Sequence, residues 1–89
     1  MTDTIPLADL LRDYTPGDAW DWKTEMGKLK TWFPHNLAKI RNSIQEHGIR
    51  EPILLGNDGR VWDGHHRITA AHQLGIEHVP IEYAGDDDE

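Results

Sequence analysis

Apolar and polar residues alternate along the chain with two different periods, and the longer period comes first. Four apolar side chains in residues 22–33 recur at intervals of four, three and four positions: Trp22, Met26, Leu29 and Phe33. This spacing is that of one face of a helix, and it predicts that the four side chains belong to the core. Asp18 is predicted to cap this helix, and Pro34 is predicted to end it or to begin the next one.

Two further segments have helical spacing. In the first, four side chains share a face: Leu37, Ile40, Ile44 and His47. Asn36 is predicted as its N-cap and Gly48 as a C-terminal residue in the left-handed region. The second segment runs from 64 to 74, with three inward positions and Gly75 at its end: Ile68, Ala71 and Leu74.

The remaining apolar residues follow strand-like patterns. Residues 52–55 and 60–62 flank Gly-Asn-Asp-Gly, which favours a hairpin, and residues 79–83 alternate as a last strand. Residues 4–7 are predicted as a short edge strand because Pro6 cannot donate to a neighbour, and 8–13 as a single helical turn. The prediction is an α+β domain, in which a short mixed sheet with a hairpin packs against three to four helices.

Length and charge narrow the picture. The chain has 89 residues, no cysteine and a net charge of -7. It is therefore expected to form one domain, about residues 1–85, without disulfides or thiolate chemistry. Residues 23–50 carry six basic and two acidic side chains, and the rest of the chain has a balance of -11. Residues 86–89, Asp-Asp-Asp-Glu, are predicted to be a disordered acidic tail.

The amino terminus has no basic region followed by an apolar run, and no stretch of about 18 apolar residues occurs in the sequence. The chain is therefore predicted to be a soluble cytoplasmic protein with no membrane partner.

The chemically informative segment is residues 63–67. Trp62 ends a strand and Gly64 turns the chain directly into a helix, whose first amides have no partner within the helix. Such amides favour an anion, and Gly64 lets a ligand approach the backbone closely. His65, His66 and Arg67 add donors or positive charge at the same place, and the guanidinium matches phosphate oxygens. This pattern predicts a phosphate site.

Other interpretations of these residues remain open. Arg67 could pair with Asp63 or Glu82 while both histidines are merely exposed. His65 and His72 lie seven residues apart on one helical face, near Asp63, which is a weaker indication of a metal site, and no metal is predicted. A serine nucleophile is not favoured, because Ser43 lies within an amphipathic helix.

Several motifs in their order resemble the ParB N-terminal and sulfiredoxin family. The resemblance covers about residues 36–83 and rests on the helix that leads to Gly48-Ile49-x-x-Pro52-Ile53, the hairpin, the Asp-Gly-His-His-Arg turn at 63–67, and the closing Leu-Gly at 74–75 with Val-Pro at 79–80. Residues 18–34 lie largely outside the pattern and are predicted to be a local elaboration.

The resemblance implies a nucleotide site. In the family, the Gly-x-x-Arg turn holds nucleotide phosphates and the Gly-Ile-x-x-Pro segment lines the same pocket. Carried over, the phosphate-binding residues are Gly64, His65, His66 and Arg67, and those of the pocket wall are Gly48, Ile49 and Pro52. The implied ligand is a nucleoside triphosphate, ATP or CTP, with Mg²⁺. Glu51 and Asp63 are weak candidates for a catalytic carboxylate.

The departures from the family exclude some activities. Sulfiredoxins have a catalytic cysteine where this chain has His65, so the chain is not a sulfiredoxin. ParB partition proteins continue into a helix-turn-helix part, which this sequence lacks. The leading hypothesis is a nucleotide-binding switch or hydrolase that could form a homodimer. One alternative is a phage or mobile-element regulator that binds a protein partner through Trp20 to Phe33. The other is a nucleic-acid-binding or nuclease-like protein, which the net charge does not favour.

Overall fold

The computed structural model describes residues 3–17 and 20–84. In this part of the chain the elements are, in order, β1 (Asp3–Pro6), α1 (Leu7–Asp13), α2 (Trp22–Trp32), α3 (Pro34–His47), β2 (Ile53–Leu55), β3 (Val61–Asp63), α4 (His65–Leu74) and β4 (His78–Tyr83). The predicted α+β class is confirmed, with its hairpin, its mixed sheet and four helices. None of these helices is both long and apolar enough to cross a membrane.

The sheet has the strand order β1-β4-β2-β3. β4 pairs with β1 antiparallel and with β2 parallel, while β2 and β3 form the antiparallel hairpin. β1 lies at an edge of the sheet, as predicted. Pro6 has no backbone N–H, and an edge strand tolerates this because one of its sides has no neighbouring strand to donate to. Because β2 and β4 are parallel, the chain must cross over between them, and α4 lies in this crossover.

The helices cover one face of the sheet. Val79 and Ile81 of β4 are buried, whereas His78 and Glu82, which flank them in the strand, are exposed. The main core joins this face to three helices and consists of Leu7, Leu10, Trp22, Met26, Ile53, Leu55, Val61, Ile68, Ala71, Val79 and Ile81. Leu37, Ile44 and Ala70 form a second cluster, which fixes α3 against α4.

The helix ends agree with the sequence in part. Asp21 caps α2 by accepting a hydrogen bond from the Thr24 amide, whereas Asp18 lies outside the described residues. The prediction that Asn36 caps α3 was wrong, because the helix begins at Pro34, whose fixed φ suits the first helical position. Gly48 ends α3 with φ 75°, and Gly75 ends α4 in the left-handed region.

Two side chains predicted to face the core do not. Phe33 is 46% exposed, because α2 ends at Trp32 and Phe33 has left the helical repeat. The side chain of His47 is 45% exposed and lies beside Glu46 in the last turn of α3. The predicted acidic tail lies outside the described residues, and the division into a domain of residues 1–85 with an elaboration at 18–34 stays a prediction.

Candidate functional site

The turn between β3 and α4 depends on a glycine. Gly64 has φ 114°, a conformation that side chains with a Cβ rarely adopt. A Cβ here would also lie 3.0 Å from Cγ1 of Ile53 in the core. Gly64 therefore lets β3 pass directly into α4 while the turn packs on the sheet. No side chain in the described part of the chain caps the amino terminus of α4, so its first amides are available to another acceptor.

His65 faces the connection between α1 and α2. Its Nε2 lies 2.8 Å from the carbonyl oxygen of Pro16, and its ring centroid is 5.9 Å from that of Trp22. A carbonyl oxygen only accepts, so Nε2 of His65 must carry the proton that it donates. The imidazole of His65 is thus occupied by contacts within the protein. Only the backbone amide of His65 is available to a ligand at the start of α4.

His66 points in a different direction, toward α3. Its ring meets that of Phe33 edge to face, with 6.0 Å between the centroids. Its Nε2 is buried and has no hydrogen-bond partner among the described residues. A buried polar nitrogen without a partner costs about 1–3 kcal/mol, and this is the feature of the turn that most directly points to a ligand.

Arg67 connects the turn to the loop after α3. Its Nη1 donates to the carbonyl oxygens of Glu51 (2.8 Å) and Pro52 (2.7 Å), and its Nη2 lies 3.4 Å from Oδ2 of Asp63. The arginine side chain is mostly buried, at 18% exposed, whereas that of Asp63 is 72% exposed, so the carboxylate is largely in solvent and the ion pair is loose. Arg67 is therefore partly a brace of the loop, and the open interpretation that it pairs with Asp63 is correct for Nη2.

Two hollows lie side by side along α3. One, of about 430 Å³, is lined by Ile40, Ser43, Ile44, Gly48, Ile49, Arg50, Glu51 and Arg67. The other, of about 390 Å³, is lined by Asn36, Lys39, Ile40, Ser43 and His66. They meet at Ile40 and Ser43, and we call them together the α3 cleft.

The α3 cleft brings together some of the predicted site residues and separates others. Gly48, Ile49, Glu51, His66 and Arg67 all line it. Pro52 contributes its carbonyl to Arg67, Gly64 is buried behind the turn, and the imidazole of His65 points away.

Sequence reasoning missed the polar residues of α3 that line the cleft, namely Asn36, Lys39 and Ser43. Their spacing of three and four residues places them on one side of the helix, beside the apolar face. This signal was present in the sequence, but only the packing of α3 against α4 shows that the row faces His66.

Other locations in the described part of the chain offer fewer polar groups that could bind a ligand. A hollow of about 580 Å³ near the carboxyl end of α4 is lined mainly by apolar residues and contains no lysine or arginine. Within residues 3–17 and 20–84, no group of three His, Asp or Glu side chains is arranged to hold a metal ion.

The fold and the turn define a small α+β domain in which a glycine starts a helix directly after a strand. No protein-family model matches the chain. Two solved structures have the same fold. One is the chromosome-partitioning protein ParB from Caulobacter crescentus in complex with CTP-gamma-S, with TM-score 0.65 and 26% identity, covering 99% of this chain and 46% of that one. The other is a Pnob8-like ParB-N domain, with TM-score 0.62 and 16% identity, covering 93% and 29%.

Two curated proteins are similar in sequence. The ParB-like nuclease domain-containing protein YnaK of Escherichia coli (strain K12) is 31% identical over 52 residues, which are 58% of this chain and 60% of YnaK. The uncharacterized protein ORF326b of Acidianus two-tailed virus is 42% identical over 59 residues, which are 64% of this chain and 17% of that protein. The chain thus spans only part of the length of each relative. Together with the fold, these similarities show that the chain has a ParB-like fold.

Proposed function

We propose that this ParB-like domain binds the phosphates of a nucleoside triphosphate in the α3 cleft, at the start of α4. The observation that carries the proposal is the buried Nε2 of His66, which lacks a partner among the described residues, in a side chain that lines a hollow together with Lys39 and Ser43. A phosphate oxygen would accept from this nitrogen, from the Lys39 ammonium and from the first amides of α4. The ParB of Caulobacter crescentus, which has the same fold, is in complex with a CTP analogue.

The residues of the site are proposed to have different roles in binding the nucleotide. Gly64 and the amides of His65, His66 and Arg67 would hold phosphate, and Gly48, Ile49 and Pro52 would form the wall of the neighbouring hollow. The Nη1 donors of Arg67 are taken by the loop carbonyls, so its remaining N–H groups are the ones proposed to meet the ligand. Of the two carboxylates considered for catalysis, Glu51 lines the cleft and is the better candidate for a hydrolytic or switching role. Mg²⁺ would arrive with the nucleotide, since the described residues lack a group of ligands for it.

The first test is thermal unfolding of the wild type and Lys39→Gln with ATP, CTP, GTP or ADP and Mg²⁺. A ligand at 100 times its Kd stabilises the bound fold by about 2.7 kcal/mol, which is a large shift in Tm for a domain of this size. We expect one nucleotide to raise the Tm of the wild type and to have little effect on Lys39→Gln. Lys30→Gln is the matched control, because Lys30 is exposed on α2 and does not line the cleft.

Arg67→Ala is a second variant with a different expectation. It should lose the nucleotide effect and also lower the Tm without ligand, because the carbonyls of Glu51 and Pro52 lose their donor. If none of the nucleotides shifts the Tm of the wild type, or if Lys39→Gln responds fully, the proposal is wrong.

A further inference from the structure

The imidazole of His66 lines a hollow whose charges have one sign. The other titratable side chain that lines this hollow, among the described residues, is the ammonium of Lys39 on α3. The start of α4 adds the partial positive charge of a helix amino terminus. The carboxylate of Glu51 lines the neighbouring hollow and not this one. The hollow therefore has positive charge to neutralise and no anionic group of its own within the described chain.

The other elements that pack around His66 do not supply that anion. Phe33, at the junction of α2 and α3, presents an uncharged ring to the imidazole, and β2 is wholly apolar. On α4 itself, His65 is directed to the connection between α1 and α2. Arg67 is directed to the loop after α3 and to Asp63. An anion that binds beside His66 would thus meet the imidazole and the lysine together.

A bound phosphate changes the balance between the two forms of this imidazole. A neutral ring carries a proton on only one nitrogen, whereas an imidazolium donates from both. The buried Nε2 of His66 has no partner among the described residues. Histidine is the side chain whose charge ordinarily changes between about pH 5 and pH 8, and an opposite charge within about 4–6 Å favours its charged form. A phosphate dianion in the hollow therefore favours the doubly protonated ring.

We infer that nucleotide binding in the α3 cleft is coupled to the uptake of a proton by His66, so that the domain binds its nucleotide more tightly at pH 7 than at pH 8. This inference rests on the proposed nucleotide site and adds a regulation by pH to it. A proton that is taken up on binding makes the affinity fall as the pH rises, by about tenfold per pH unit for one whole proton. Titration of the nucleotide has the opposite sign, because its terminal phosphate gains negative charge as the pH rises.

The test is isothermal titration calorimetry of the full chain with CTP and with ATP, each with Mg²⁺, at pH 7.5 in Tris, HEPES and MOPS. These buffers differ in the heat that accompanies loss of a proton, so the dependence of the binding enthalpy on the buffer counts the protons taken up. We expect an uptake of about half a proton or more per nucleotide, and a Kd that rises about three- to tenfold between pH 7 and pH 8.

His66→Gln is the decisive variant, because an amide can donate to phosphate without titrating. Its Kd should change less than about twofold between pH 7 and pH 8, and it should take up about half a proton less than the wild type. His65→Gln is the matched control. Its amide can still donate to the carbonyl of Pro16, and its proton uptake should equal that of the wild type. The titration of the nucleotide is common to all three proteins, so the difference isolates His66.

A second measurement does not depend on a variant. In the NMR spectrum of the wild type, the midpoint of the pH titration of the His66 ring protons should move upward by about one pH unit or more when the nucleotide is bound. The midpoint for His65 should move less.

The outcomes separate this inference from the nucleotide site. Binding without proton uptake, equal uptake in His66→Gln and the wild type, or an unchanged His66 midpoint would each overturn the inference and leave the site in place. Loss of the uptake in His65→Gln instead would assign the proton to the other histidine and overturn it as well. If neither nucleotide binds to the wild type between pH 6 and pH 8, the proposed function is wrong, and the inference with it.

Discussion

The two sides of the turn at Gly64 differ in how the protein satisfies their polar atoms. On the side of α2, the imidazole of His65 has both a hydrogen-bond acceptor and an aromatic neighbour. On the side of α3, His66 has only the aromatic neighbour, and its buried Nε2 has no partner in the part of the chain described. Two consecutive histidines thus have different surroundings, because neighbouring positions on a helix point about 100° away from each other. The imidazole of His65 is held by other parts of the protein, whereas that of His66 is the one for which a ligand contact is proposed.

The largest effect should come from a change that disturbs both sides at once. Gly64→Ala places a Cβ 3.0 Å from Cγ1 of Ile53 and forces alanine to φ 114°. Strain and overpacking of this kind cost about 1–3 kcal/mol each, so the free energy of unfolding should fall by about 2–6 kcal/mol in urea titrations.

Gly27→Ala is the control for this glycine. Gly27 lies within α2 and a Cβ there meets nothing within 4 Å, so alanine should stabilise the chain by about 0.5–1 kcal/mol through helix propensity. A Gly64→Ala variant as stable as the wild type would show that the turn is not what positions the two histidines.

Intermediate changes in the free energy of unfolding are expected when either histidine is replaced by phenylalanine, and the two changes should have opposite signs. His65→Phe leaves the carbonyl of the buried Pro16 without its donor and should lower the free energy of unfolding by about 1–2 kcal/mol. His66→Phe removes a buried nitrogen without a partner and keeps the ring against Phe33, so in the absence of ligand it should raise stability by up to about 1 kcal/mol.

The nucleotide response completes this comparison. His66→Phe should lose the Tm shift with nucleotide. His65→Phe should keep most of this shift, counted from its own lower Tm without ligand. Equal stability changes in the two variants, or loss of the response only in His65→Phe, would reverse the assignment of the two sides.

The smallest effect concerns the N-cap of α2. This helix contains Trp22, which contacts His65, and it is followed by Phe33, which contacts His66. The hydrogen bond from the Thr24 amide holds the pKa of Asp21 below its usual value of 3.8. A lowered pKa means that this stabilisation is present above about pH 4 and is lost as the pH falls through the lower folded-state pKa. In Asp21→Asn, the amide caps the helix without titrating.

The Tm of Asp21→Asn should therefore match that of the wild type at pH 7 and decline less between pH 4 and pH 2. The other carboxylates whose pKa is lowered, Asp13 and Asp58, are present in both proteins, so the difference between the two Tm curves isolates Asp21. Parallel curves would show that the cap makes no contribution linked to pH.

Local patterns were sufficient for most of the fold. The helical spacing that ends at Gly48, the hairpin around Gly-Asn-Asp-Gly and the switch from strand to helix at Gly64 are all properties of neighbouring residues, and the structure has them where they were predicted. Helix boundaries were predicted less accurately: α3 begins at Pro34, so Phe33 lies outside α2 and Asn36 lies within α3 instead of capping it.

The sequence alone determined that the chain can form a short mixed sheet packed against helices, and that a glycine turn precedes two histidines and an arginine. Only the tertiary structure decided which of these side chains is free, because hydrogen-bond partners such as the carbonyls of Pro16, Glu51 and Pro52 come from segments 15 to 49 residues away. The row formed by Asn36, Lys39 and Ser43 became part of the candidate site for the same reason, since α3 packs beside α4. Periodicity specifies which face of an element is buried, whereas the pairing of particular polar atoms depends on how the elements pack.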